Sequence, residues 1–164
     1  MKPYQNLLDL LDEIPGIDKV SAQSVLSEIG ITLEHFLTIM SFTSWAGLCP
    51  GNNESAGKRK SGKSPVRKHP FKTIMIEIAW AAIKKKNSYY KNKYYRLKAR
   101  RGAKKAIVAI AHRIAKAFYT IIKTGEKYKD LGEDYLMKIN KSKRLNNLRK
   151  QAQLLGFDLV PAKI

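Results

Sequence analysis

A single hydroxyl set among cations is the first chemistry this sequence offers. Ser55 lies in Glu54-Ser55-Ala56-Gly57-Lys58-Arg59-Lys60, and Lys63, Arg67 and Lys68 follow before His69. Small neighbours let a bulky backbone approach the hydroxyl. The cations could neutralise a phosphodiester, both on binding and in its crowded transition state. A serine hydroxyl is a weak nucleophile until a base, a metal or an electropositive site activates it. The segment supplies only Glu54 and His69 as bases, so on these residues alone a solvated linker explains it better than a catalytic loop.

A second candidate is Ser88 to Arg101, where four tyrosines interleave with six bases. Aromatic rings stack on bases while Lys and Arg hold the phosphate backbone. Lys91, Lys93, Arg96, Arg100 and Arg101 are the expected contacts there, with Lys72 upstream and Lys104 and Lys105 downstream. A tyrosine nucleophile is the competing chemistry. Tyr90 and Tyr94 stand one helical turn apart, so some of the rings should be core and mixed use is expected.

Other chemistries are poorly served. The one cysteine, Cys49, excludes an internal disulfide, and no cysteine–histidine spacing suits zinc. No Walker loop or dinucleotide fingerprint is present. The basic region lacks paired carboxylates, which argues against a self-contained two-metal nuclease site. No metal site and no cofactor are therefore expected within this chain. No apolar run approaches the roughly 18 to 20 residues that span a bilayer. The expected setting is reducing and cytoplasmic.

The charge is segregated. Residues 1–54 carry seven acids against two bases, a net of −5, while residues 55–164 carry a net of +24, which makes the chain's total +19. Between Ser55 and Lys105 the only acid is Glu77. So one-sided a field attracts a polyanion and releases its counterions on contact, which points to nucleic acid as the partner.

The elements that must position these residues read as mainly α. Leu7, Leu8 and Leu11 mark one side of a short helix, which Pro15-Gly16 breaks; helical spacing resumes over 19–29, with Gly30 as its cap. This is a helix-hairpin-helix pattern. Such hairpins hold phosphate on backbone amides, but this one is net negative and has Asp18 in its turn, so a structural or subunit-contact role is favoured. Thr32 is expected to cap a third helix over 33–40, with Leu33, Phe36, Leu37 and Met40 as its apolar face. Residues 51–69 read as a mobile basic glycine/serine loop. A helix over 71–86 and a long one from Ala103 to Lys123 follow, the second with Ala106, Ile107, Ile110, Ile114, Phe118 and Ile121 in step. A last basic helix spans 141–154, and Phe157 to Val160 reads as a short C-terminal strand.

Four stretches together carry a resemblance: IPGIDKVSAQSVLSEIG, SWAGLCPGNNESAGK, the run from IMIEIAWAAI through YYRLKARRGAKKAIVAIAHRIAKAFYTIIKTGEKYKDLGEDYL, and RLNNLRKQAQLLGFDLVPAKI. In order and spacing the chain resembles the C-terminal domain of the insertion-sequence transposases related to the Piv and MooV invertases, the IS-one-ten family of bridge-RNA-guided DNA recombinases. The resemblance covers nearly the whole chain. It implies that residues 1–50 (hairpin and following helix) and 51–164 (basic helical remainder with the serine loop) form one transposase domain. It implies that Ser55 matches the serine that attacks DNA and forms a phosphoserine link. Ala56 stands where the family usually has glycine, Asp18 where its hairpin usually has glycine, and Lys72 about where it often has arginine. Lys keeps the charge but loses the bidentate fork. Family members also carry an N-terminal RNase H-like domain with four acidic metal ligands, implying Mg²⁺ in the complete protein. The chain is therefore expected to act as a fragment, inactive alone, with DNA, a guide RNA and further copies of the protein as partners. The alternatives are a non-enzymatic basic nucleic-acid-binding module and an assembly module that pairs the acidic and basic parts of different copies.

Overall fold

The computed structural model describes residues 4–51, 53–61 and 69–160, with backbone alone at residues 53, 54 and 59–61. The described residues form seven α-helices and one two-stranded hairpin, so the fold is mainly α. No described helix is long and apolar enough to cross a membrane.

The helical hairpin sets the entrance. α1 (Gln5–Asp12) buries Leu8 and Leu11, and α2 (Lys19–Ile29) buries Ala22, Val25, Leu26 and Ile29. Between them Ile14 and Ile17 turn into the core. Gly16 takes φ +86°, and a methyl group there would collide with the Ile78 carbonyl oxygen and the Ala82 amide nitrogen of α4. The bend thus needs glycine twice, for its positive φ and for close backbone approach. Gly30 ends α2 at φ +76°, with its N–H donated to the Leu26 carbonyl.

The third helix does not lie over 33–40. Leu33 is at φ +52°, which no helix accommodates. α3 runs Ile39–Trp45 instead, and Thr38 rather than Thr32 caps it in a reciprocal box with Ser41. The expected apolar face splits accordingly: Leu33 is buried and Phe36 half-buried, while Leu37 and Met40 are exposed.

α4 (Pro70–Ala82) begins with proline in its first turn, which suits a position whose N–H has no helical acceptor. It buries Phe71, Met75, Ile78, Ala79 and Ala82, and ends a turn earlier than the expected 71–86. α5 (Tyr89–Arg101) is capped by Ser88, whose hydroxyl accepts the Tyr90 N–H at 3.2 Å. α6 (Ala103–Thr124) is the central element and packs on α5, α4, α3 and α1. Its buried stripe of Ile107, Ile110, Ile114, Phe118 and Ile121 keeps the 3- and 4-residue rhythm of its sequence. Each such side chain taken from water contributes roughly 1.5–3 kcal/mol, which is why this helix forms the centre. Gly125 closes it in the left-handed conformation.

α7 (Tyr135–Leu154) starts six residues before the expected 141–154 and buries Leu136 alone. The C-terminal strand is not formed. Residues 157–160 have no strand partner among the described residues, and the Phe157 N–H instead closes the end of α7 on the Ala152 carbonyl at 2.9 Å. The basic loop is also not wholly irregular. β1 (Asn53–Ser55) and β2 (Lys58–Ser61) pair antiparallel.

Candidate nucleic-acid interface and serine turn

Ser55 is the last residue of β1 and pairs with Lys58, the first of β2. The two residues between them, Ala56 and Gly57, have φ +51° and +72°. This is the two-residue turn with both central residues in the left-handed region, whose twist matches that of the strands. The turn carries Ser55, Ala56, Gly57 and Lys58 exposed. The serine therefore stands at the tip of a hairpin, beside a lysine fixed by strand register.

The two ends of the serine segment are held by an aromatic cluster. Trp45 packs edge-on against His69 at 4.3 Å between ring centroids and against Phe71 at 5.5 Å. Phe42 joins Phe71 and Tyr119, and the Tyr119 hydroxyl donates to the Phe36 carbonyl at 3.0 Å. Cys49 is tied in by a polar contact. The Thr43 hydroxyl donates to the Ile39 carbonyl at 2.9 Å, which leaves the Cys49 thiol as donor to Thr43 Oγ1 at 3.2 Å. Cys49 Sγ also lies 3.8 Å from His112 Nε2 on α6. Burial, then the nearby Lys116 and Arg113, hold the His112 imidazolium below its usual range.

Of the expected basic contacts, Lys58 is exposed at the turn, and Arg59 and Lys60 lie on β2. Lys63, Arg67 and Lys68 lie outside the described residues. Lys72 lies in the first turn of α4, half-buried, with its Nζ 3.8 Å from the point where a side chain on Gly47 would begin. Gly47, at φ +64°, thus gives the lysine room over the Ala46-Gly47-Leu48 turn. Arg96, Arg100 and Arg101 are exposed on α5, and Lys104 and Lys105 are exposed on the first turn of α6. Lys91 and Lys93 are half-buried on α5.

Folding brings three helices' cations together around Lys93. Partial burial, followed by repulsion from Arg113 on α6, Arg96 and Arg100 on α5 and Lys143 on α7, lowers its ammonium pKa. An anion placed there relieves that repulsion. Arg113 and Lys143 were missed as contacts by the sequence reading, because their membership depends on α6 and α7 crossing α5. The tyrosines divide between core and surface. Tyr89, Tyr90 and Tyr94 are buried, while Tyr95 is 54% exposed with the Lys98 ammonium over its ring at 5.9 Å. A buried Tyr94 packed on Trp80 is badly placed to attack DNA.

The helical hairpin offers little to a phosphate. The amide that would receive one at the α2 N-terminus is bound to the Asp18 carboxylate, which accepts the Ser21 N–H at 2.7 Å. Lys19, its one base, is paired with Asp9 at 2.8 Å.

The model of the Transposase IS116/IS110/IS902 family matches residues 8–96, just over half of the chain. The chain belongs to that family. The matched stretch runs from α1 into α5 and includes the serine hairpin, its aromatic anchor and the first part of the cationic surface. The transposase domain is thus the frame in which the serine turn and the cations of α5 are to be read. No curated protein matches the chain significantly.

Proposed function

We propose that this transposase domain binds DNA through the cations gathered on α5 and α6, together with those of the serine hairpin, and supplies Ser55 as the nucleophile of strand cleavage and exchange. The observation that carries the reading is the turn itself. It presents a serine at the tip of a hairpin with a methyl and a hydrogen as its next two side chains, and with Lys58 opposite in register. A phosphodiester can approach such a tip without steric hindrance, and Lys58 can offset charge developing on the phosphoryl oxygens. In the step proposed, the Ser55 Oγ–P bond forms as one P–O(sugar) bond breaks. The serine proton passes, through a base, to the leaving sugar oxygen. The phosphoserine link conserves the energy of the broken bond, so a second sugar hydroxyl can attack it, reseal the strand and restore Ser55.

The residues here do not fit a Mg²⁺ site, since no group of three or more His, Cys, Asp or Glu side chains among the described residues could hold one. No step is routed through a metal in this chain. The family resemblance supports a guide RNA and a multi-copy assembly as further partners, with the metal-binding acids outside the described residues.

The test is Ser55→Ala in a reconstituted strand-exchange reaction. Strand exchange should fall by at least about three orders of magnitude, the scale on which activated nucleophiles act, while DNA affinity stays within about twofold, since one hydroxyl contributes little beside many phosphate contacts. Retained exchange, or a parallel loss of binding, contradicts the assignment.

A further inference from the structure

α6 and the irregular segment that follows it line an open cleft of about 330 Å³, on the scale of small-ligand sites. Tyr128 from the segment, half-buried and backed by the buried Tyr89 and Tyr90 of α5, forms its aromatic side. Tyr90 and Tyr128 lie nearly parallel, at 6.3 Å between centroids and 19°. The cleft also contains Arg113 and Lys116 of α6 and Lys127 and Lys129 of the segment, against one acid, Glu126. The Arg113 guanidinium sits 5.8 Å from the Tyr89 ring centroid.

The wall is built rather than draped. The Asp130 carboxylate accepts the Tyr89 N–H at 3.2 Å and the Gly132 N–H at 2.9 Å, and Asn92 donates to the Glu133 carbonyl at 3.0 Å. These bonds fasten the returning segment to the first turn of α5 and fix Tyr128 opposite α6. Burial pushes the Tyr128 hydroxyl up to about 12, and its hydrogen bond with the Tyr90 hydroxyl ties the two rings together.

We propose that this cleft takes one unstacked nucleotide of a single-stranded nucleic acid, its base against Tyr128 and its phosphate at Arg113 and Lys116. The proposal rests on the nucleic-acid-binding reading above and assigns a specific seat to it. Rings combined with cations are the means by which single strands are held without regard to sequence. A base inside a duplex must first swing out of its stack to enter such a cleft. The cleft therefore discriminates strandedness, which the open cationic surface of α5 does not.

The experiment measures affinities of the whole chain, by fluorescence anisotropy, for a short oligothymidylate, an oligouridylate of the same length and a DNA duplex. Tyr128→Ala should weaken single-strand binding by about tenfold, the value of one stacked base, and leave duplex binding within about twofold. Thr120→Leu, which crowds the cleft from an exposed position on α6 with a side chain that cannot stack, should do the same. Tyr128→Phe, which keeps the ring, should stay near the unmodified protein. Loss on one of the two single strands assigns the cleft to DNA or to RNA, and loss on both assigns it to either; each supports the proposal. Unchanged single-strand affinity in both cleft variants, or equal losses on single strand and duplex, overturns it. Unmodified protein that binds none of the three probes overturns the nucleic-acid reading and the cleft together. Unmodified protein that binds all three, with variants unchanged, overturns the cleft alone.

Discussion

Ala56 has a backbone conformation that an L-residue adopts at a cost of roughly 1–2 kcal/mol, because its methyl crowds the following carbonyl at φ +51°. Glycine, the residue usual at this point in the family it resembles, removes that cost but loosens the unfolded chain. Asparagine tolerates the left-handed region and completes the Asn-Gly pair that two-residue hairpins favour. Ala56→Asn should therefore stabilise the hairpin by about 1 kcal/mol, read as slower amide exchange across residues 53–61. Ala56→Val should do the opposite. His112 gives a residue-scale prediction with a sign. Its folded pKa lies below the ordinary 6.5, so the unfolded chain takes up the proton first as pH falls. Stability from this group is whole above about pH 7, declines as pH falls through the ordinary histidine range, and levels off below the folded pKa. Denaturation midpoints of wild type and His112→Gln across that range should converge as the pH falls, the substitution removing the wild type's acid-side decline.

At the scale of elements, the hairpin bend is the most demanding junction. Gly16→Ala forces a methyl into the backbone of α4 and strains a positive φ. The expected loss is about 3 kcal/mol or more, seen as a fall in Tm on the order of 10 °C, with little change in DNA affinity for the fraction still folded. The helices with unbroken apolar rhythm were legible in the sequence. α2 spans the expected 19–29 and ends at its Gly30 cap, and α6 runs one residue past the expected Lys123. Residues 33–40 misled because an apolar spacing was present without a backbone able to use it. Thr38 and Ser41 form a better cap than Thr32, and Leu33 turns the chain the other way. Val160 and its neighbours look like a strand by composition, but a strand needs a partner edge, and none stands beside it among the described residues. The hairpin at the serine was missed for the converse reason: its strands are charged and short, and only the Ala-Gly turn marks them.

At the scale of the molecule, the part from Ser55 onward is strongly cationic and the part before it acidic. The cations of α5 were legible as a run, but the surface they join was not, because Arg113 and Lys143 reach it only when three helices cross. Binding that rests on this surface should be dominated by counterion release. Duplex affinity should fall by about a thousandfold or more between 50 and 200 mM salt if six or more phosphates are neutralised, and a flat salt response would contradict a broad cationic interface. The serine assignment needs a chemical readout. The most direct is to trap a strand-exchange reaction on nicked suicide DNA, digest the protein, and map the covalently linked residue by mass spectrometry. A phosphodiester link on Ser55 is predicted; a link on a tyrosine such as Tyr94, or on no residue of this chain, would contradict the account.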